Sequence, residues 1–322
     1  MFYLLLFIPI LVLFIFGQVL ILGNNSTKTL LLPFNNHTHP LGFPMTTTGP
    51  VKPFSYNSLP PCDDVQLDRK VNTTTIWMSM KTCHFSLLQR FFGNPQGVLP
   101  NFASILYVCD ETQEVSGIDM RELVAPRRPY YVALPKCKES SVLVNLGIDE
   151  DSSVLNQLKM TVENMKFYGT SPTAGNDKVF ESVFPRAVSL REENVAVAKN
   201  EIRNRTEVAG KTVSFESYLN TELANLKFID ILWINLENGP SEFGNFLAQD
   251  DLFDKLGVTI CQIGIEIEAD KHNEFYGFML SVLNQPRYIF MRPSMSADEQ
   301  VVRVYLLNVV DEKCYKKYIN IQ

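Results

Sequence analysis

The stretch KFIDILWINLENG, residues 227–239, constrains the fold more than any other part of this sequence. From Phe228 to Ile234 every residue but one is apolar. An apolar run of this length between polar residues is typical of a strand that is buried on both faces in a parallel sheet. Asn235 and Glu237 follow the run directly. Ligands of open α/β sheets bind at the carboxyl ends of the strands, so both residues are candidate site residues. The alternative is that they begin an ordinary solvated loop.

Strand and helix patterns alternate from residue 140 to the end of the chain. The predicted strands lie at 141–148, 166–169, 186–190, 228–234, 258–268, 288–291 and 301–308. The predicted helices or helical turns lie at 153–165, 179–184, 241–256 and 273–284. This alternation predicts an α/β domain with a doubly wound sheet.

The first 61 residues differ in composition from the rest of the chain. Residues 1–23 are apolar apart from Gln18, and a helix of about 20 such residues at about 1.5 Å per residue spans a bilayer core. The apolar core of a signal peptide is shorter, about 7–15 residues, and follows a positively charged region that this sequence lacks. We therefore expect an uncleaved signal anchor, with a cleaved signal peptide as the alternative. Residues 24–61 are rich in Asn, Thr and Pro and predict a flexible luminal stalk.

Residues 62–138 predict a small N-terminal α/β extension that covers one edge of the main sheet, and residues 139–322 the main domain. Within the extension, apolar residues three and four apart predict an amphipathic helix from Thr75 to Phe92. The apolar stretch from Ala103 to Asp110 predicts a strand.

Several features indicate the secretory pathway and exclude one class of partner. Glycosylation triplets begin at Asn24, Asn25, Asn36, Asn72 and Asn204. Six cysteines form an even set that suits disulfides in an oxidising compartment. Fifteen pairings are possible, spacing does not choose among them, and buried free thiols are the alternative. The net charge is −6 without a basic run, so no nucleic-acid partner is expected.

Gly147 lies where a nucleotide-binding turn would lie, after a buried strand and before a helix. It is a single glycine rather than the spaced set of such motifs. The acids at 149–151 follow it, and they favour the helix N-terminus but repel a phosphate. Dinucleotide or triphosphate binding is therefore disfavoured.

Three segments carry a resemblance to a known family. They are KTVSFESYL (211–219), FIDILWINLENGPSEFGNFL (228–247) and GVTICQIGIEIE (257–268). The residues that fall into the family's pattern are Asp230, Trp233, Glu237, Glu242, Gln262, Glu266 and Glu268. The chain resembles an FkbM-type methyltransferase domain, more faintly from about 142 to 318. The resemblance implies a class I methyltransferase-like (Rossmann-like) fold, S-adenosylmethionine as cofactor, and methyl transfer to an oxygen of a sugar or small metabolite.

The resemblance also implies a set of site residues, placed by position. Asn145 and Asp149 would bind the amino-acid end of the cofactor, Gly147 and Ile148 would let it pass over the first turn, Gly169 and Thr170 would lie near its ribose, and Asn235 and Glu237 would lie at the methyl-transfer cleft with Glu237 as base. The sequence departs from the family where an acid normally meets the ribose, at 169–171. Losing that carboxylate would cost about 1.5–3 kcal/mol.

This departure from the family's pattern leaves other functions open. One is a catalytically inactive binding protein with the methyltransferase fold. Another is a luminal glycosyltransferase that holds a divalent cation with the acids at 149–151. The sequence offers no Ser/His/Asp set, and the neighbours Cys83 and His84 are interpreted as a chance pair on a helix face. The methyltransferase hypothesis requires the strands that end near Gly147, Gly169 and Glu237 to be parallel neighbours.

Overall fold

The computed structural model describes residues 54–66, 73–110, 112–125, 129–148, 153–171, 178–190, 212–223, 226–236, 243, 252–268, 270–296 and 301–319. All of them belong to one compact unit, residues 53–322. The predicted anchor, the stalk up to residue 53, the acids at 149–151 and Glu237 lie outside the described residues. Among the residues described, none of the helices has the length and apolarity needed to span a bilayer.

The described helices are α1 (Thr73–Leu88), α2 (Pro95–Asp110), α3 (Gln113–Ser116), α4 (Ser153–Thr161), α5 (Phe215–Thr221), α6 (Leu252–Leu256), α7 (His272–Asn284) and α8 (Glu312–Cys314), the last continuing as a π-helical turn (Tyr315–Ile319). The strands are β1 (Met120–Leu123), β2 (Tyr130–Ala133), β3 (Ser141–Leu146), β4 (Met165–Thr170), β5 (Ser182–Phe184), β6 (Val188–Ser189), β7 (Val213–Ser214), β8 (Phe228–Ile234), β9 (Thr259–Glu268), β10 (Tyr288–Met295) and β11 (Val301–Asn308).

Seven strands form the central sheet in the order β5-β4-β3-β8-β9-β11-β10. All of them are parallel except β11, which is antiparallel to both β9 and β10. The first five strands and the last follow the 3-2-1-4-5-6 order of the doubly wound nucleotide-binding folds, and β11 is inserted before the last. The predicted fold class, a methyltransferase-like Rossmann sheet, is confirmed.

Both faces of this sheet are covered, as the continuous apolar strands require. On one face Leu146 of β3 and Ile234 of β8 pack into a cluster with residues of α2, α5 and α7. On the other face Leu143 and Trp233 pack with α4 and with the hairpin of β1 and β2. All six residues of β3 are buried, which explains why its sequence shows no two-residue alternation.

The segment from Ala103 to Asp110 is part of helix α2, so the strand predicted there is wrong. Its buried residues continue a helical spacing that begins at Val98. Its apolar residues, however, are nearly consecutive, and eight residues are too few to separate a buried helix from a buried strand. Phe102 packs edge-to-face on Phe275 at 4.7 Å and on Phe290 at 5.1 Å between ring centres. Helix α2 therefore covers the edge strand β10.

Two further expectations differ from the structure. The helix or turn expected at 179–184 ends in the short edge strand β5, which pairs with β4. The end of the predicted stalk is also wrong, because residues 54–61 pack onto the domain. Tyr56 is buried, and its hydroxyl donates to the carbonyl of Glu139 at 2.7 Å. Strand β5 and the helical turn at Tyr56–Ser58 have three residues each, which are too few to show a hydrophobic period in the sequence.

All six cysteines are paired, so the expected disulfides are confirmed and the alternative of free thiols is wrong. The pairs are Cys62–Cys137, Cys83–Cys109 and Cys261–Cys314. The first fixes the start of the compact unit beside β3. The second joins α1 to α2, and the third joins β9 to the C-terminal helix.

Asp230, the polar residue within the apolar run of β8, is completely buried. Its carboxylate lies 2.6 Å from Nζ of the buried Lys317 and accepts the hydroxyl of Tyr318 at 2.5 Å. It also accepts the amide N–H of Val142 at 2.7 Å. A buried charge requires such partners, and these partners attach the C-terminal turn to the starts of β3 and β8.

Candidate functional site

The carboxyl ends of β4, β3 and β8 lie side by side at one edge of the sheet. Leu146 of β3 pairs with Thr170 of β4 on one side and with Ile234 of β8 on the other, all in parallel register. Gly147 and Asn235 therefore emerge together. The geometry that the methyltransferase hypothesis requires is present. This edge is also where the chain order of the strands reverses, which is the usual ligand-binding position of such sheets.

Asn145 and Asn235 bring two side-chain amides together at this edge. Asn145 is buried in β3, and Nδ2 of Asn235 donates to its Oδ1 at 3.4 Å and to the carbonyl of Gly147 at 3.3 Å. Both bonds are long for N–H to O hydrogen bonds. Nδ2 of Asn145 and Oδ1 of Asn235 form no hydrogen bond with the described residues. The amide nitrogen of Asn145, as a donor, and the amide oxygen of Asn235, as an acceptor, therefore remain for a ligand.

The turn after β3 requires glycine at position 147. Gly147 has φ +83°, and a Cβ there would lie 2.6 Å from the carbonyl oxygen of Asn235. Its N–H donates to Oγ1 of Thr170 at 3.1 Å, and the N–H of Ile148 donates to the carbonyl of Thr170 at 3.0 Å. Both N–H groups are thus satisfied within the protein. They are not free to bind a phosphate.

An apolar cover lies over Gly169, where the ribose was predicted. A Cβ on Gly169 would lie 2.5 Å from Cδ1 of Ile148 and 2.8 Å from Cε1 of Phe180. These two side chains occupy the space that the missing side chain of Gly169 leaves. Thr170 is almost fully buried, and its hydroxyl already accepts the N–H of Gly147. On this side of the crevice the described groups are mainly apolar.

The predicted site residues therefore divide into three groups. Asn145, Gly147 and Asn235 are brought together, whereas Ile148, Gly169 and Thr170 lie beside them and pack on one another. Asp149 and Glu237, the two predicted carboxylates, lie outside the described residues. The described part of the site is neutral, because its polar groups are amides and hydroxyls.

Other catalytic arrangements find no support among the described residues. Cys83 is bound in a disulfide, and burial lowers the pKa of His84 to about 3, so the two form no catalytic pair. Nowhere in the described ranges do three His, Cys, Asp or Glu side chains converge to hold a metal ion. The acids proposed for a glycosyltransferase metal, at 149–151, lie outside these ranges.

Sequence reasoning missed a second polar region, on the sheet face covered by the β1–β2 hairpin. There Arg303 of β11 forms an ion pair with Glu266 of β9, and its guanidinium carbon lies 3.0 Å from the ring centre of Tyr130. The alternation of β9 places Glu266 on the same face as Trp233. The position of Glu266 on this face was the sequence signal for the polar region. It does not reveal that Arg303 of β11 is the partner of Glu266.

Comparisons with known proteins give a distant structural similarity. No family model matches the sequence, so the FkbM resemblance stays a prediction. No curated protein matches either. Among solved structures the chain is similar to fibrillarin from Aeropyrum pernix, which was crystallised with S-adenosyl-L-methionine bound. The identity is 10%, the TM-score is 0.31, and the match covers 53% of this chain and 67% of fibrillarin.

Proposed function

We propose that this chain is an S-adenosylmethionine-dependent O-methyltransferase of the secretory pathway, acting on a sugar or small metabolite. The observation that carries the proposal is the pair of amides, Asn145 and Asn235, at the reversal point of a methyltransferase-like sheet. The sequence resemblance implies the same ligand.

The amide pair fits the zwitterionic end of the cofactor. Nδ2 of Asn145 would donate to its carboxylate, and Oδ1 of Asn235 would accept from its ammonium group, since both atoms are without partners among the described residues. Gly147 allows the chain to approach closely at the turn between them. The bound cofactor would supply the methyl group.

The protein's contribution to the transfer would be positioning and removal of one proton. Holding the cofactor and the acceptor in line makes the reaction effectively unimolecular, which lowers its entropic cost. A base takes the proton of the acceptor hydroxyl. Glu237, two residues beyond Asn235, is the candidate base by its position in the sequence.

The three disulfides favour the secretory pathway, because such bonds persist in oxidising compartments. The apolar residues 1–23 and the glycosylation triplets favour the same location, with the N-terminal segment as membrane anchor.

A second candidate is a methyltransferase-fold protein that binds a ligand without catalysis. The observation that favours it is the cover of Ile148 and Phe180 over Gly169, together with the hydroxyl of Thr170 in place of the usual ribose carboxylate. In this case the crevice would hold a ligand smaller than the whole cofactor.

Calorimetry of the full glycosylated chain with S-adenosylmethionine tests the proposal. We expect binding without metal, and a loss of about 10- to 100-fold in affinity for Asn235→Ala, since a hydrogen bond to a charged group contributes about 1.5–3 kcal/mol. Asn220→Ala, on the exposed side of α5, is the matched control and should bind as the wild type does.

Catalysis is tested by release of S-adenosylhomocysteine in the presence of a panel of sugars. Activity that disappears in Glu237→Gln while cofactor binding persists would support the methyltransferase. Binding without turnover on any acceptor would favour the second candidate. An absence of cofactor binding would contradict the proposal, and manganese-dependent binding of a nucleotide sugar would favour a glycosyltransferase instead.

A further inference from the structure

A small cavity lies on the hairpin-covered face of the sheet, one residue before the end of β8. Its volume is about 10 Å³, and its lining includes Tyr131, Trp233, Arg292, Ser294 and Arg303. A space of this size holds about one water molecule or one oxygen atom of a ligand. It lies beside the candidate site, because Trp233 pairs in register with Asn145.

Most of the polar groups that line the cavity already have partners. Arg303 donates to the carbonyl of Pro129 at 3.2 Å in addition to its ion pair with Glu266. The hydroxyl of Ser294 donates to the same carbonyl at 2.9 Å. The hydroxyl of Tyr131 donates to Glu122 at 3.1 Å. These groups hold the walls of the cavity together.

Arg292 differs from these groups in its backbone and in its side chain. It has φ +30°, an unusual value for a residue other than glycine, at an irregularity where the register of β10 and β11 shifts between Met291 and Ser294. Arg292 is exposed, and its guanidinium makes no hydrogen bond or salt bridge within the described parts of the chain, although its charge acts on the carboxyl of Asp110 and the hydroxyl of Tyr131. Strained residues persist only where the surroundings impose them, and bulges often redirect a side chain at a binding site.

A buried carboxylate contacts the backbone of Arg292 at this position. Oδ2 of Asp110, the last residue of α2, accepts the N–H of Arg292 at 2.8 Å. Asp110 is 8% exposed, and its other oxygen has no hydrogen-bond partner in the described ranges. Burial raises the pKa of this carboxyl to about 7. The hydrogen bond that the structure shows for the carboxylate of Asp110 is the one to the N–H of Arg292.

We propose that Arg292 binds an anionic oxygen group, a carboxylate or a sulfate, on the acceptor of the methyl transfer. One oxygen of that group would occupy the cavity, and Arg292 would supply the charge. This inference rests on the proposed function and specifies its substrate class as an acidic glycan or metabolite. Residue 292 lies three strands from β8, about 14 Å at the usual strand spacing. The acceptor must therefore be longer than one sugar ring if it reaches both positions.

The test is an NMR titration of the full chain with glucuronate, with glucose as the neutral counterpart and with inorganic sulfate. We expect wild-type protein to bind glucuronate or sulfate, and glucose at least tenfold more weakly. Arg292→Gln should lose the anion binding by tenfold or more. Arg287→Gln removes an arginine near the start of the same strand, where it pairs with Asp254, and should leave anion binding unchanged.

Two further variants separate positioning from folding. Arg292→Lys keeps the charge and should retain part of the binding. Asp110→Asn keeps an acceptor for the N–H of Arg292 and should retain it fully, whereas Asp110→Ala should weaken it. Equal binding of glucose and glucuronate, unchanged binding in Arg292→Gln, or no anion binding by the wild type would each overturn the proposal.

The outcome is independent of the cofactor measurement. Anion binding at Arg292 without S-adenosylmethionine binding would support an anion site and reject the methyltransferase. Cofactor binding without any binding of glucuronate or sulfate would reject the anion site alone. If Arg292→Gln loses the binding of glucuronate alone, the acceptor is carboxylated. If it loses the binding of sulfate alone, the acceptor is sulfated.

Discussion

Two buried carboxylates in this molecule have opposite surroundings. Asp230 contacts a lysine, a tyrosine hydroxyl and a backbone N–H, so its negative charge is compensated within the core. Asp110 has one backbone N–H as its hydrogen-bond partner among the described residues, and burial raises its pKa to about 7. Desolvation therefore dominates the pKa of Asp110, because it outweighs the N–H and the charge of Arg292, which lower that pKa.

This difference gives a pH dependence of stability that belongs to Asp110. Because its pKa is raised in the folded state, from an ordinary 3.8, its stabilising contribution is complete below about pH 4 and is lost as the pH rises to about 7. Three pH units correspond to a change on the order of 4 kcal/mol. We expect the stability advantage of Asp110→Asn over the wild type in urea unfolding to grow between pH 4.5 and 8.

The control for this measurement is Asp270→Asn, which removes an exposed carboxyl. Its free energy of unfolding should follow that of the wild type at both pH values. A constant difference between wild type and Asp110→Asn across this range would show that Asp110 titrates normally and would contradict the prediction.

Elements with long apolar runs were predictable, and the arrangement of short ones was not. Strands β3, β8 and β9 and the convergence of their ends follow from the sequence, because strands buried on both faces have few alternatives. Helix α2 was misread, since its apolar residues lie in consecutive positions. The disulfide pairs and the contact of Asp110 with Arg292 join residues far apart in sequence, 182 positions in the latter case, and no local pattern reveals them.

The crevice at the strand ends gives a prediction about one side chain of the turn after β3. Ile148→Ala should uncover Gly169 and raise the affinity for S-adenosylmethionine by up to about tenfold, or 1.4 kcal/mol. The loss of stability should stay below about 2 kcal/mol, since Ile148 is only partly buried. Calorimetry measures the affinity, and Ile148→Leu, which keeps the volume, is the control. An unchanged affinity in Ile148→Ala would show that the side chain does not limit access.

At the scale of the whole molecule, the disulfides close loops of different length around one core. Cys62–Cys137 spans 75 residues, Cys261–Cys314 spans 53, and Cys83–Cys109 spans 26. Chain entropy predicts that longer loops stabilise more, because they restrict the unfolded state more strongly. The two longer links also hold the ends of the compact unit, at Cys62 and Cys314, against the sheet.

The last prediction ranks these links by their stabilising effect. Replacing both cysteines of Cys62–Cys137 by alanine should cost roughly 4.5 kcal/mol of unfolding free energy, and replacing those of Cys83–Cys109 roughly 3.5 kcal/mol. Urea unfolding of the paired variants measures both values, and double replacement avoids leaving a reactive free thiol. Mass spectrometry of the unreduced wild type should show all three links. If the 26-residue loop stabilised more than the 75-residue loop, the packing of α1 on α2, rather than chain entropy, would govern the role of these bonds.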